Sequence, residues 1–190
     1  MKEEDVANLV DGLKKLANFR KSTGINPLDN YGYRELMQVV ELRQILPSIK
    51  KTPGRKGEDA KADNDGYQNI ELKSSQFEKD PSIDNWQSAM FDMSKTDDIK
   101  KLYEFEGFGH SLFHKNGDAI PIASYWIGKN HIKKLHPLFD KKVNEYKELK
   151  ENKPGGRLAI YISVKEVLQY VDAKDIIWFK DGVKVESVLL

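Results

Sequence analysis

Residues 52–75, TPGRKGEDAKADNDGYQNIELKSS, decide the fold of this chain. The segment ends in Ile70-Glu71-Leu72-Lys73, where apolar and charged residues alternate. As a β-strand, with its side-chain period of two, this run sets Glu71 and Lys73 on one face and Leu72 on the other. Asp59 stands twelve positions before Glu71, beyond a turn region rich in Asp, Asn and Gly that can fold it back beside Glu71. Two carboxylates and a lysine on neighbouring strands can hold a hard divalent metal against a phosphate.

The Glu-x-Lys spacing is not distinctive by itself. It recurs at Glu145/Lys147, Glu148/Lys150 and Glu151/Lys153. Those pairs lie on or just past an expected helix, where positions two apart point about 200° around the axis and cannot share a site. Only Glu71 and Lys73 combine a strand context with an aspartate one loop away.

Outward from this stretch the pattern alternates between helical and extended segments. Residues 3–21 carry Val6, Leu9, Val10, Leu13, Leu16 and Ala17 at helical spacing, with acidic residues at the start and basic ones at the end. A turn-rich segment leads to a second helix expected over 34–46 and ended by Pro47. Residues 76–85 are polar and read as loop, and 86–105 as a broken helix with a restart at Thr96-Asp97-Asp98. Asn116-Gly117 between two apolar runs predicts a hairpin, and a long amphipathic helix follows to about residue 150. The end reads as a strand over 158–162, a short helix over 164–171, and a hairpin turned at Asp181-Gly182. The expectation is one α+β domain over 1–190, with a mostly antiparallel sheet and no internal repeat.

The 190 residues are 39% hydrophobic and 32% charged, an ordinary globular composition. Lys and Arg number 31 against 30 Asp and Glu, so a nucleic-acid partner has to be met by a local basic surface. Lys50, Lys51, Arg55 and Lys56 form such a cluster next to Asp59, placed to guide a phosphate backbone towards the carboxylates. The absence of cysteine removes disulfides and thiolate metal sites. The acidic start MKEEDVANLV is unlike a signal peptide and no apolar run reaches membrane-spanning length, so a cytoplasmic protein without a membrane partner is expected. His110, His114, His131 and His136 have no spacing that favours a metal site or a catalytic triad. Gly54, Gly57 and Gly66 do not form a phosphate-cradling fingerprint.

Pro53-Gly54-Arg55-x-Gly57-x-Asp59-Ala60, followed after a turn by Glu71-Leu72-Lys73-Ser74, closely resembles the active-site region of the PvuII-like type II restriction endonucleases of the PD-(D/E)XK nuclease superfamily. The likeness extends back through Gly24-Ile25-Asn26 and Asp29-Asn30 to Leu36 and Gln38-Val39. It extends forward, less closely, through the strand after Gly117 to the helix beginning near Leu135-x-Pro137. The resemblance implies a PD-(D/E)XK core, a mixed and mostly antiparallel sheet flanked by helices. It implies a homodimer, with residues 1–46 as a helical dimerisation part and 50–190 as the catalytic and DNA-recognition part. The activity implied is Mg²⁺-dependent cleavage of double-stranded DNA at a short palindromic site, leaving 5′-phosphate ends. A cognate DNA methyltransferase is then expected in the host, not as a bound subunit.

Carried over residue by residue, Asp59 and Glu71 are metal ligands, Lys73 is the catalytic lysine, and the Leu72 carbonyl is a further metal ligand. Hard oxygen donors favour Mg²⁺ over zinc. Asp29 matches an aspartate facing the minor groove, and Ser74 and Ser75 join Lys51, Arg55 and Lys56 as DNA-contact candidates. Lys56 and Glu58 depart from the family pattern, as does the region after the catalytic strand, where a run of histidines is replaced by Gln76, Asn85, Gln87 and Ser88. Amides suit adenine edges and hydroxyls suit either base. A structure-specific repair or junction-resolving nuclease of the same fold is the nearest alternative. A non-catalytic DNA-binding module is the other, and it would be expected to have lost Asp59, Glu71 or Lys73.

Overall fold

The computed structural model describes residues 11–12, 14–16, 18–22, 30–52, 59–78, 80–93, 96–115, 120–152 and 159–186. Two strands are buried on both faces, β5 (Gly107–His114) and β6 (Ala123–Ile127), and the sheet is assembled around them. Their runs FGHSLF and ASYWI lack charged residues, as a doubly covered central strand requires, and the polar His110, Ser111 and Ser124 are buried with the rest. The other members are β1 (Lys50–Lys51), β2 (Ala60–Ala62), β3 (Tyr67–Phe77), β8 (Ile177–Lys180) and β9 (Val183–Val185). The order is β1-β2-β3-β5-β6-β8-β9. All neighbours are antiparallel except β3 and β5, which run parallel from Ile70↔Gly107 to Phe77↔His114. A parallel pair needs a long crossover. It is supplied by β4 (Ala89–Asp92) and the helix α2 (Thr96–Glu104), and β4 pairs with β7 (Ala159–Ile162) in a separate two-stranded sheet.

The sheet has a core on each face. One face packs on β4, β7, α2 and the long helix α3 (His136–Asn152), through Phe91, Leu102, Phe108, Tyr125, Leu138, Phe139, Val143 and Trp178. The other packs on the helix α1 (Asn30–Leu42), through Val39, Leu42, Ile70, Leu72, Trp126 and Phe179. Gly107 lies beneath the Trp126 ring, where an added Cβ would stand 2.1 Å from the ring edge, so only glycine admits the indole. The α+β class, the mostly antiparallel sheet and the flanking helices are therefore as expected. No helix among the described residues is long and apolar enough to cross a membrane.

Several boundaries differ from the sequence expectation. The second helix spans Asn30–Leu42 instead of 34–46, and Ile45 and Leu46 keep their packing from within a turn. Residues 89–92 form a strand, not part of a helix: Ala89, Phe91 and Met93 point inward while Met90 is exposed, a period of two hidden in a short run. β3 runs on to Phe77, because parallel pairing with β5 carries it past Ser75. Pro137 sits at the start of α3, where its missing N–H costs no helical hydrogen bond. The terminal hairpin turns at Asp181 (φ 50°) and Gly182 (φ 76°), the two left-handed positions a type I′ turn needs. The turn at 116–117 and the loop at 153–156 lie outside the described residues, as does most of the first expected helix.

Candidate active site

Asp59 is tied to both neighbouring strands before its side chain is considered. Its carbonyl accepts from Thr52 N–H at 3.0 Å and its N–H donates to Ile70 O at 3.2 Å. Its Oδ2 then accepts the Leu72 N–H at 2.8 Å, fastening the acid to the strand that carries Glu71 and Lys73. The return is made by a 3₁₀ turn, Asp63–Asp65, closed by Gly66 at φ 79°, a conformation costly for residues with a Cβ. Asp65 anchors that turn by accepting from Ser48 N–H at 2.9 Å and Ser48 Oγ at 2.6 Å.

On β3 the period of two holds. Leu72 enters the α1-side core, while Lys73 Nζ is ion-paired with Glu71 Oε1 on the opposite face. Their side chains are 25% and 13% exposed. Lys73 Nζ also lies 5.0 Å from the centre of the Phe91 ring, a cation–π contact that further holds the ammonium. From α1, Gln38 Nε2 donates to Lys73 O at 2.8 Å, fixing the helix against β3.

The electrostatics follow from burial. Removal from water raises the Asp59 carboxyl, against lowering by Lys73 and the Leu72 hydrogen bond. Burial pushes Glu71 up to about 7, and the Asp59 charge adds to this while Lys73 opposes it. Burial pulls the Lys73 ammonium down, but Glu71 and Asp59 more than offset it, so the net direction is up and the lysine keeps its proton. Two adjacent carboxylates held partly out of water are costly to ionise, and a cation between them relieves that cost.

Glu35 of α1 was not anticipated. It pairs with Lys51, burial raises its carboxyl, and it senses the charges of Asp59 and Lys73. Lys51, read from the sequence as part of an open basic surface, is instead held inside the site by Glu35 with a 7% exposed side chain. One acid on a helix carries no sequence mark of its role; the packing of α1 on β3 brings it there.

Ser75 lies on the Glu71/Lys73 face of β3, with its Oγ 3.0 Å from His110 Nε2. Trp86 Nε1–H donates to His110 Nδ1 at 3.3 Å. His110 is fully buried, and burial together with the Lys73 charge pushes it down to about 3, so the ring is neutral. Ser74 is half-buried, on the Leu72 face of the strand.

Gln76, Asn85 and Gln87 converge on one cleft of about 490 Å³, with Phe77, Glu78 and Lys115 completing its wall. The Asn85 amide is already engaged there: its Oδ1 accepts Ser82 N–H at 2.7 Å and its Nδ2 donates to Asp80 O at 3.2 Å. Gln76 and Gln87 are exposed, and Ser88 beside them is half-buried. Asp29, Arg55 and Lys56 lie outside the described residues.

Among the described residues no three His, Cys, Asp or Glu side chains stand close enough to hold a metal by themselves. A candidate donor set is two carboxylates, Asp59 and Glu71, with the Leu72 carbonyl on the strand between them. It fits Mg²⁺, which takes one or two carboxylates and completes its shell with water and substrate phosphate. His131 faces Asp175 at 3.3 Å, and His136 packs on the Tyr103 ring with 5.3 Å between ring centres. No protein-family model and no curated protein matches the chain.

Proposed function

We propose that this chain is a type II restriction endonuclease of the PD-(D/E)XK superfamily, hydrolysing double-stranded DNA at a short palindromic site with Mg²⁺. The hydrogen bond from Leu72 N–H to Asp59 Oδ2 carries the reading, because it places one acid against the strand bearing the Glu71–Lys73 pair. Of the three other Glu-x-Lys pairs, Glu145/Lys147 and Glu148/Lys150 lie in α3, where the helix separates the two members around its axis, and Lys153 of the third lies outside the described residues. A further support is the likeness in residue order from Pro53 to Ser74.

Bound Mg²⁺ would supply Lewis-acid polarisation of the phosphate and a water of lowered pKa. Asp59 and Glu71 would hold it in their ionised forms. Lys73, kept protonated by Glu71 and Asp59, acts as a donor that orients the attacking water and stabilises charge developing on the phosphate oxygens. Attack in line with the leaving 3′ oxygen gives 5′-phosphate ends. A palindromic site calls for two copies of the chain related by a twofold axis, each cutting one strand. A host using such an enzyme needs a methyltransferase to protect its own DNA, and the cytoplasm is where both would meet it.

Digestion of plasmid DNA with and without Mg²⁺, followed by sequencing of the ends, tests the reading. Discrete ends at one palindrome, bearing 5′-phosphates and formed only with the metal, are expected. Cleavage confined to branched DNA would instead assign a structure-specific nuclease, and no cleavage at all would remove the enzyme reading.

A further inference from the structure

The Trp86–His110–Ser75 chain has a direction. An indole N–H can only donate, so His110 Nδ1 must accept and carries no proton. A neutral imidazole then has its one N–H at Nε2, and that N–H faces Ser75 Oγ at 3.0 Å. Ser75 Oγ is therefore an acceptor inside the protein, and its own O–H remains to donate elsewhere. The three groups belong to separate elements: Ser75 to β3, His110 to β5, and Trp86 to the loop before β4. His110 and Trp86 are sealed in the aromatic core, with Trp86 and His110 each packed on Tyr125 at 5.7 Å between ring centres. The half-buried serine is the one member within reach of a ligand.

Ser75 follows Lys73 by two residues on the same face of β3, about 7 Å along the strand. That step is comparable to the spacing of successive phosphates on one DNA strand. The amides Gln76 and Gln87 stand apart, at the cleft where the strand ends.

We propose that Ser75 donates its hydroxyl to a phosphate oxygen of the DNA strand bound across Lys73, with His110 and Trp86 as positioning residues that fix it as a donor. This rests on the nuclease reading and adds to it a neutral phosphate contact beside the catalytic lysine. A neutral donor releases no counterion, so its removal lowers affinity without changing the salt dependence, whereas loss of a lysine contact flattens that slope by about one unit.

Binding of the cleaved duplex is measured in Ca²⁺ and single-turnover cleavage in Mg²⁺ for the wild type, Ser75→Ala, Ser75→Thr and Trp86→Phe. Ser75→Ala is expected to lose roughly 10- to 100-fold in affinity, as for a hydrogen bond to a charged group. The plots of log affinity against log salt should be parallel, and Ser75→Thr should restore binding. Duplexes with one methylphosphonate at each successive position locate the partner: at the right phosphate the alanine penalty disappears. Nitrogen-15 spectra of the full chain should give His110 as the Nε2–H tautomer, with Trp86→Phe admitting the Nδ1–H form.

If the wild type cuts DNA while Ser75→Ala binds and cuts equally well, the proposal fails and the nuclease reading stands. An Nδ1–H tautomer in the wild type, or an alanine penalty that no methylphosphonate removes, also overturns it. If the wild type neither binds nor cuts duplex DNA, both readings fall together.

Discussion

The two halves of β3 are built on opposite principles. Around Glu71 and Lys73 the charges are paired, largely withdrawn from water, and fastened by backbone hydrogen bonds to Asp59 and Gln38. From Gln76 onwards the strand opens into a cleft lined by exposed amides, where the Lys115–Glu78 ion pair is more than 60% exposed at both ends. For the proposed nuclease, low dielectric would strengthen electrostatic action on a reacting phosphate, so burial suits the half that carries Glu71 and Lys73. On the same proposal, reading a base edge would require donors and acceptors open to the DNA, which the other half offers at Gln76 and Gln87. One strand thus joins a preorganised centre to an adaptable surface.

The sharpest way to break this comparison is to remove the centre alone. Lys73→Ala or Asp59→Ala should lower single-turnover cleavage by roughly 10³-fold or more while leaving DNA affinity within severalfold of wild type. Undiminished cutting by either variant would dissolve the assignment of the buried half.

The open half predicts a different phenotype. Gln76→Ala or Gln87→Ala should narrow the discrimination between the preferred site and single-base variants by about 1–3 kcal/mol, with cleavage chemistry once bound little changed. Asn85→Ala should act instead on the turn it pins, appearing as lost thermal stability. A pure specificity change at Asn85 would mean that its amide is released on binding.

Burial of the acids also predicts how metal and pH combine. The folded-state pKa of Glu71 is raised to about 7 from 4.5, and those of Asp59 and Glu35 are raised too. A carboxyl whose folded pKa is raised binds its proton more tightly in the native state. Its contribution is therefore favourable below the unfolded pKa and is lost as pH rises through the folded one, here between about 4.5 and 7. Metal-free protein should melt at a lower temperature at pH 8 than at pH 6, and Mg²⁺ or Ca²⁺ should raise the melting temperature more at pH 8. Equal metal stabilisation at both values would separate the metal from these carboxylates.

Glu41 supplies the smallest test and a control. It lies on α1, 4% exposed, raised by burial to about 7, with Oε1 lacking a hydrogen-bond partner among the described residues. Among the described residues no lysine pairs with it in the way Lys73 pairs with Glu71. Glu41→Gln should stabilise the fold by about 1–2 kcal/mol at pH 8 and leave cleavage unchanged. A raised acid is thus not in itself a catalytic one.

The parts of the site legible in the sequence are those set by local periodicity. Alternation placed Glu71 and Lys73 on one face and Leu72 on the other, and the Asp/Asn/Gly turn allowed Asp59 to return. The pairing of β5 with β6 and the Asp181-Gly182 turn were legible for the same reason. The strand at 89–92 was not, because four residues carry too little alternation to compete with the helical pattern around them. Glu35 and His110 were assigned no place in the site, and Lys51 was read as part of an open basic surface, since α1 packing and the parallel register of β3 with β5 depend on residues tens of positions away.

The sequence by itself determined which side chains share a strand face and where the chain turns back, since both follow from backbone geometry within a few residues. The tertiary structure alone decided that Lys51 serves Glu35 instead of an open basic surface. It also decided that His110 stands behind Ser75, and that Gln76 and Gln87 meet across one cleft. These depend on which elements become neighbours, a choice made by burying two cores on the two faces of one sheet.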